Sequence, residues 1–163
     1  MSSVLYPGSF DPVTHGHVDV IIRLRKIFDQ VVVLVANSAR KQTLFTAEER
    51  IQLIGEAVGK QKGVRVITSS ALTVEVAKKE KIFTIARSAR TASDWEFEYA
   101  LADANKKLAP QVETLFMMAD PEFGFISSSL VREIAQFGGD TSAFVPPNVK
   151  AALESKLKLK KKG

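Results

Sequence analysis

Five short apolar runs, each divided from the next by a helical pattern, restrict the architecture of this chain more than any other feature of its sequence. Ser3–Tyr6, Gln30–Ala36 (QVVVLVA), Val64–Ser69 (VRVITS), Lys81–Ala86 (KIFTIA) and Glu113–Met118 (ETLFMM) read as strands. They are nearly continuous in apolar residues, as strands covered on both faces are. Between them, His17–Phe28 places Val18, Ile21, Ile22 and Phe28 near one helical stripe. Thr46-Ala-Glu-Glu49 is a capping box ahead of Ile51, Leu53, Ile54 and Val58, and Thr73–Glu80 makes a short helix. Ser93-Asp-Trp-Glu96 is a second capping box, opening a helix to about Leu108. Ser127 or Ser128 caps a helix through Phe137 that Gly138 and Gly139 end, and Pro146-Pro147 starts the last one. The alternation predicts an α/β fold: a Rossmann-like, five-stranded parallel sheet with helices on both faces and right-handed crossovers.

The chain has 163 residues, the length of one domain, and enough to bury a core without staples. It contains no cysteine. That excludes disulfides, thiolate nucleophiles, zinc ribbons and iron–sulfur clusters, and fits a cytoplasmic location. No run is long enough to span a membrane, and the N-terminus lacks the basic-then-apolar order of a secretory signal. The net charge of +5 comes from Lys156, Lys158, Lys160, Lys161 and Lys162; without them basic and acidic residues balance at 18 each. The charge describes a tail over 156–163 rather than a basic face on 1–155, so no nucleic-acid partner is expected.

In open α/β sheets ligands bind beyond the carboxyl ends of the strands. After the first strand comes Pro7-Gly8-Ser9-Phe10-Asp11-Pro12, then His15-Gly16-His17; after the second, Asn37-Ser38-Ala39-Arg40-Lys41. Ala71-Leu72-Thr73 follows the third, Arg87-Ser88-Ala89-Arg90 the fourth, and Phe123-Gly124-Phe125-Ile126-Ser127-Ser128-Ser129 the fifth. Small residues, hydroxyls and cations thus gather at one rim, a combination that suits phosphates. Gly8 permits a tight turn with close backbone approach, and the next helix aims its amino end at the same place. His17, in the first turn of that helix, can donate to a phosphate oxygen. His15 is read as a loop residue nearby. Lys41 taken alone is equally a solvated charge, whereas two arginines just past a central strand favour anion binding. Ser127–Ser129 serve as a helix cap, a phosphate site or both. Trp95, Phe97 and Tyr99 read as packing residues rather than a base-stacking set.

The pattern Y-P-G-S-F-D-P-V-T-H-G-H resembles the signature of the nucleotidylyltransferase superfamily. From about Ser3 to Leu157 the chain resembles the bacterial phosphopantetheine adenylyltransferases within it. The likeness includes F-T-x-E-E-R at Phe45–Arg50, R-x-x-R at Arg87–Arg90, D-W-E-F-E at Asp94–Glu98, Asn105, and I-S-S-S-L-V-R at Ile126–Arg132. The resemblance implies a nucleotidylyltransferase domain over 1–155. It implies adenylyl transfer from ATP to 4′-phosphopantetheine with Mg²⁺, held mainly by the ATP phosphates rather than by protein ligands. It also implies feedback binding of coenzyme A and a homohexamer.

By the same resemblance His17 binds the α-phosphate and stabilises the transition state. Lys41 neutralises the attacking phosphate, and Arg87 holds phosphopantetheine. Ser9 and the Phe10 backbone touch both substrates, and Thr73 lines the pantetheine channel. Ser88, Ala89 and Arg90 grip ATP, with Arg90 also placed in the catalytic set. Glu98 contacts the nucleotide, and Phe123, Gly124, Phe125, Ile126, Ser127, Ser128 and Ser129 meet the ATP phosphates. No general base is expected, because a phosphate monoester, with a second pKa near 6, is largely ionised at neutral pH.

The chain departs from the family pattern where Ser88-Ala89 replaces Gly-Leu, where Phe97 replaces a frequent Tyr, and where Ala71 replaces a frequent Asp. Sister adenylyl- and cytidylyltransferases share the first and last motifs, but the segment Arg87–Glu98 sets this chain apart from them. A class I aminoacyl-tRNA synthetase would need a longer chain and a K-M-S-K-S-like loop. A degenerate nucleotide sensor is disfavoured by the retained His17, Lys41, Arg87 and Arg90.

Overall fold

The structure, a computed structural model, describes residues 1–37, 42–59 and 61–160. Its elements run β1 (Ser3–Gly8), α1 (His15–Ile27), β2 (Gln30–Ala36), α2 (Ala47–Val58), β3 (Val64–Ser69), α3 (Thr73–Glu80), β4 (Thr84–Ala89), α4 (Ala92–Leu108), β5 (Glu113–Met118), α5 (Ser128–Gln136) and α6 (Pro147–Lys160). All strand pairings are parallel, in the order β3-β2-β1-β4-β5. The expected sheet is therefore the observed one.

Alternate strand residues feed two cores. Val4, Tyr6, Val31, Val33 and Val35 join Ile21, Leu24, Ile54 and Leu153 on one face, while Leu5, Val32, Leu34 and Ile85 join Val74, Ala77 and Ile82 on the other. Burial on both faces is the reason the strand sequences do not alternate.

The chain order reverses between β1 and β4, the topological switch point where open α/β sheets bind ligands. Only Leu5 and Ile85 pair across these strands, whereas β1 and β2 pair over six positions. Beyond that single pair the carboxyl ends of β1 and β4 line a crevice.

Several boundaries differ from the sequence reading, the first strand among them, which runs to Gly8 rather than ending at Tyr6. The fourth strand covers Thr84–Ala89 rather than Lys81–Ala86. Lys81, in the left-handed conformation at φ 57°, ends α3 by donating its N–H to Ala77 and Lys78 carbonyls. The ladder continues through Arg87, Ser88 and Ala89 opposite Phe116, Met117 and Met118, since backbone pairing needs no apolar side chain. Helix α1 begins at His15, capped by Thr14. Helix α4 is capped by Thr91, whose hydroxyl accepts from the Asp94 amide at 3.1 Å, so Ser93 lies inside the helix instead of capping it.

Helix α4 contains no buried residue. Trp95, Phe97 and Tyr99 are 41%, 63% and 54% exposed. Trp95 rests on Phe116 at 4.6 Å between ring centroids. Of the three aromatics expected to be packing residues, Trp95 makes such a contact, while Phe97 and Tyr99 are largely exposed.

Candidate active site

A cavity of about 290 Å³ opens at the switch point. Of the residues singled out from sequence, Phe10, His17, Arg87, Ser88, Arg90, Glu98, Phe123, Ile126, Ser127, Ser128 and Ser129 line it together. Gly8 is on the wall as well, and a Cβ there would sit 2.9 Å from the Phe10 ring, so close approach of that ring is what requires glycine. Ser9, Ala89, Gly124, Phe125 and Thr73 are not on this wall. Ala89 is buried, and Phe125 is exposed, edge-on to Phe144. Thr73 starts α3, beyond the edge strand β3. Lys41 lies outside the described residues.

His17 occupies the third position of α1 and completes a capping box, a place usually held by Glu or Gln. Its Nδ1 accepts from the Thr14 amide at 3.1 Å, and the Thr14 hydroxyl accepts from the His17 amide at 3.4 Å. An Nδ1 that accepts leaves the ring proton on Nε2. Burial, followed by the nearby Arg90 charge, lowers the imidazole pKa to about 4, so the ring is neutral at physiological pH. The site therefore offers an N–H donor held in place rather than an acid.

Both arginines meet carboxylates on one face of α4, the ion pairing that the sequence ranked below anion binding for them. Arg87 grips Glu98 through both carboxylate oxygens, the Nη2–Oε1 distance being 2.8 Å, and also donates to the Pro7 carbonyl at 3.3 Å. Arg90 donates to Asp94 at 2.9 and 3.3 Å and to the Ile126 carbonyl at 2.7 Å. Glu98, expected to contact nucleotide, lies on the cavity wall and engages Arg87. Asp94, on the cavity wall, was missed. The i,i+4 spacing of Asp94 and Glu98, one helical turn, was the available signal.

The serine segment divides its labour. Ser127 caps α5, accepting from the Leu130 amide at 3.1 Å. Ser128 donates to the Pro12 carbonyl at 2.7 Å, and Ser129 accepts from Arg132 at 3.3 Å. The amides of Ser128 and Ser129 find no protein acceptor among the described residues, so the amino end of α5 faces the cavity with donors free. Among the described residues no group of three or more His, Asp or Glu side chains is placed to hold a metal ion. Asp94 and Glu98 are both engaged by arginines.

The Cytidylyltransferase-like family matches residues 5–134. A phosphopantetheine adenylyltransferase of Bdellovibrio bacteriovorus is 48% identical over 154 residues, covering 94% of this chain and 96% of its own. One from Desulforudis audaxviator is 43% identical over 163 residues, the full length of both chains. A crystal structure from Vibrio parahaemolyticus, provisionally assigned as a nicotinate-nucleotide adenylyltransferase, superposes with a TM-score of 0.68 over 94% of this chain and 99% of its own; at 18% identity it speaks for the fold alone.

Proposed function

The chain belongs to the cytidylyltransferase-like family and, within it, to the phosphopantetheine adenylyltransferases, and from that membership we propose how its residues carry the reaction. The enzyme is a nucleotidyltransferase of coenzyme A synthesis. It moves the adenylyl group of ATP onto 4′-phosphopantetheine, giving dephospho-coenzyme A and pyrophosphate.

A phosphate oxygen of the acceptor forms a bond to the α-phosphorus of ATP. The bond from that phosphorus to the bridging oxygen breaks, and its electron pair leaves with pyrophosphate. The nucleophile is already ionised, so the work is alignment and neutralisation of growing charge. The neutral His17 Nε2–H donates to the α-phosphate as its charge develops. The α5 amides, the serine hydroxyls and Arg90 meet the departing phosphates. Arg87 and Lys41 hold the acceptor phosphate, which competes with Glu98 for the Arg87 fork. Ser9, the Phe10 amide, Ser88 and Ala89 complete the contacts, and Thr73 lines the pantetheine channel. Mg²⁺, if carried on the ATP phosphates rather than by side chains of this chain, would supply further neutralisation.

The observation that carries this reading is the convergence on one cavity of a tautomer-fixed His17, the α5 amino end and Arg90. The test is pyrophosphate release from ATP with 4′-phosphopantetheine or with nicotinate mononucleotide as acceptor. Turnover with the first is expected; turnover with the second alone overturns the acceptor assignment. The proposal extends to coenzyme A as a feedback ligand, to a cytoplasmic location and to a homohexamer. The exposed aromatics of α4, Phe97 and Tyr99, are in keeping with assembly, which light scattering tests directly.

A further inference from the structure

Arg50 is a fully buried cation that the reaction scheme above leaves unused. It forms no ion pair with a carboxylate among the described residues. A buried charge without a counter-charge is costly, so what its fork holds matters. Nη1 donates to the Ser9 carbonyl at 2.8 Å and to the Ala36 carbonyl at 3.2 Å. Nη2 reaches Asn37 Oδ1 at 3.3 Å, and Nε the Thr46 carbonyl at 3.3 Å. One side chain from the first turn of α2 thus ties together the turn after β1 and the end of β2.

The consequence lies in the Ser9–Phe10 peptide. This bond is trans, and a trans peptide directs its C=O and N–H to opposite sides. With the Ser9 carbonyl turned to Arg50, the Phe10 N–H turns away from it. Phe10 lines the cavity and Arg50 does not. The Phe10 N–H has no acceptor among the described residues. Phe10 also holds φ 49°, a left-handed conformation that a bulky residue keeps only where its surroundings impose it.

We propose that Arg50 is a positioning residue for adenylyl transfer, its fork fixing the Ser9–Phe10 peptide so that the Phe10 N–H faces the reacting phosphates as a preset donor. The inference rests on the adenylyl-transfer reading of the cavity. In Arg50→Lys the charge remains and the fork is lost. In full-length enzyme, at a temperature where circular dichroism shows the variant folded, kcat should fall about ten- to hundredfold while the KM for ATP moves less than about threefold. A merely structural arginine would lower Tm and leave the kcat of the folded enzyme at the wild-type value, and that result overturns the proposal. A second arm uses wild-type protein labelled with ¹⁵N-phenylalanine and titrated with ATP. The Phe10 amide proton should move downfield as it gains a phosphate acceptor; an unresponsive Phe10 amide overturns the proposal, whether or not Arg50→Lys folds. Wild-type enzyme that released no pyrophosphate with 4′-phosphopantetheine would instead defeat the adenylyl-transfer reading, and the amide response would still decide the orientation of the peptide.

Discussion

Thr14 and His17 hold each other across the first turn of α1, the Thr14 amide donating to His17 Nδ1 at 3.1 Å while the Thr14 hydroxyl accepts from the His17 amide. A helix cap has thereby become a device for choosing a tautomer. The proton is left on Nε2, and the ring, packed edge-on to Phe10 at 5.0 Å, lines the cavity. Removing a preset donor of this kind costs about 10²–10³ in rate. His17→Ala should lower kcat for pyrophosphate release by about that factor with a smaller change in the KM for ATP. Near-normal turnover in that variant rules out the donor role.

The same histidine carries a pH signature in stability. Its pKa stands at about 4 in the folded chain against an ordinary 6.5. Between those values the unfolded chain binds a proton that the folded chain refuses. Stability is therefore whole above about pH 6.5 and declines as pH falls towards about 4. His17→Asn removes this contribution. Urea unfolding at about pH 7.5 and about pH 4.5 should show the wild type losing more stability than the variant. Equal losses would mean that His17 is not held neutral by burial.

Much of the site could be read in the sequence because its chemistry sits at predictable places. Gly8 and Arg87 lie in the carboxyl-terminal halves of strands, Arg90 just after one, and His17 and Ser127–Ser129 at helix starts, and the parallel order brings those ends to one rim. What escaped was pairing across elements. Glu98 was visible, but its grip on Arg87 depends on how α4 lies over β4, which helical periodicity does not encode. The extent of β4 escaped for a related reason: Ser88 and Ala89 belong to the ladder through backbone bonds alone. The aromatics of α4 signalled packing by their type, yet only Trp95 of the three is more covered than exposed, resting on Phe116.

The Arg87–Glu98 pair sets up a competition. Both side chains are largely covered, and the planar guanidinium meets the carboxylate with two hydrogen bonds. A lysine keeps the charge but cannot make the two-pronged contact with either Glu98 or an incoming phosphate. Arg87→Lys should raise the KM for 4′-phosphopantetheine about tenfold, with less effect on the KM for ATP. Steady-state kinetics with each substrate varied in turn makes the check. An unchanged acceptor KM removes Arg87 from the acceptor site.

The last helix separates two kinds of lysine. Lys156 Nζ lies 2.6 and 2.7 Å from the Glu49 carboxylate oxygens and 5.6 Å from the Phe45 ring centre. That hydrogen bond, followed by the one from the Thr46 amide, holds the Glu49 carboxyl below its usual range. Lys156 thus braces the capping box of α2, the helix whose first turn also carries Arg50. The pair is partly exposed, so its worth is modest, about 0.5–1 kcal/mol. Lys156→Ala should lower Tm by about 1–4 °C, with kcat unchanged. Because Glu49 is depressed in the folded chain, that stabilisation is present at neutral pH and fades as pH falls through the carboxylate range. The Tm gap between wild type and variant should close in acid and in high salt. Deleting residues 158–163 leaves Lys156 and Glu49 in place, so Tm and turnover should both stay at wild-type values. A deletion that matched Lys156→Ala in Tm would show that the bracing comes from the end of the helix rather than from this ion pair.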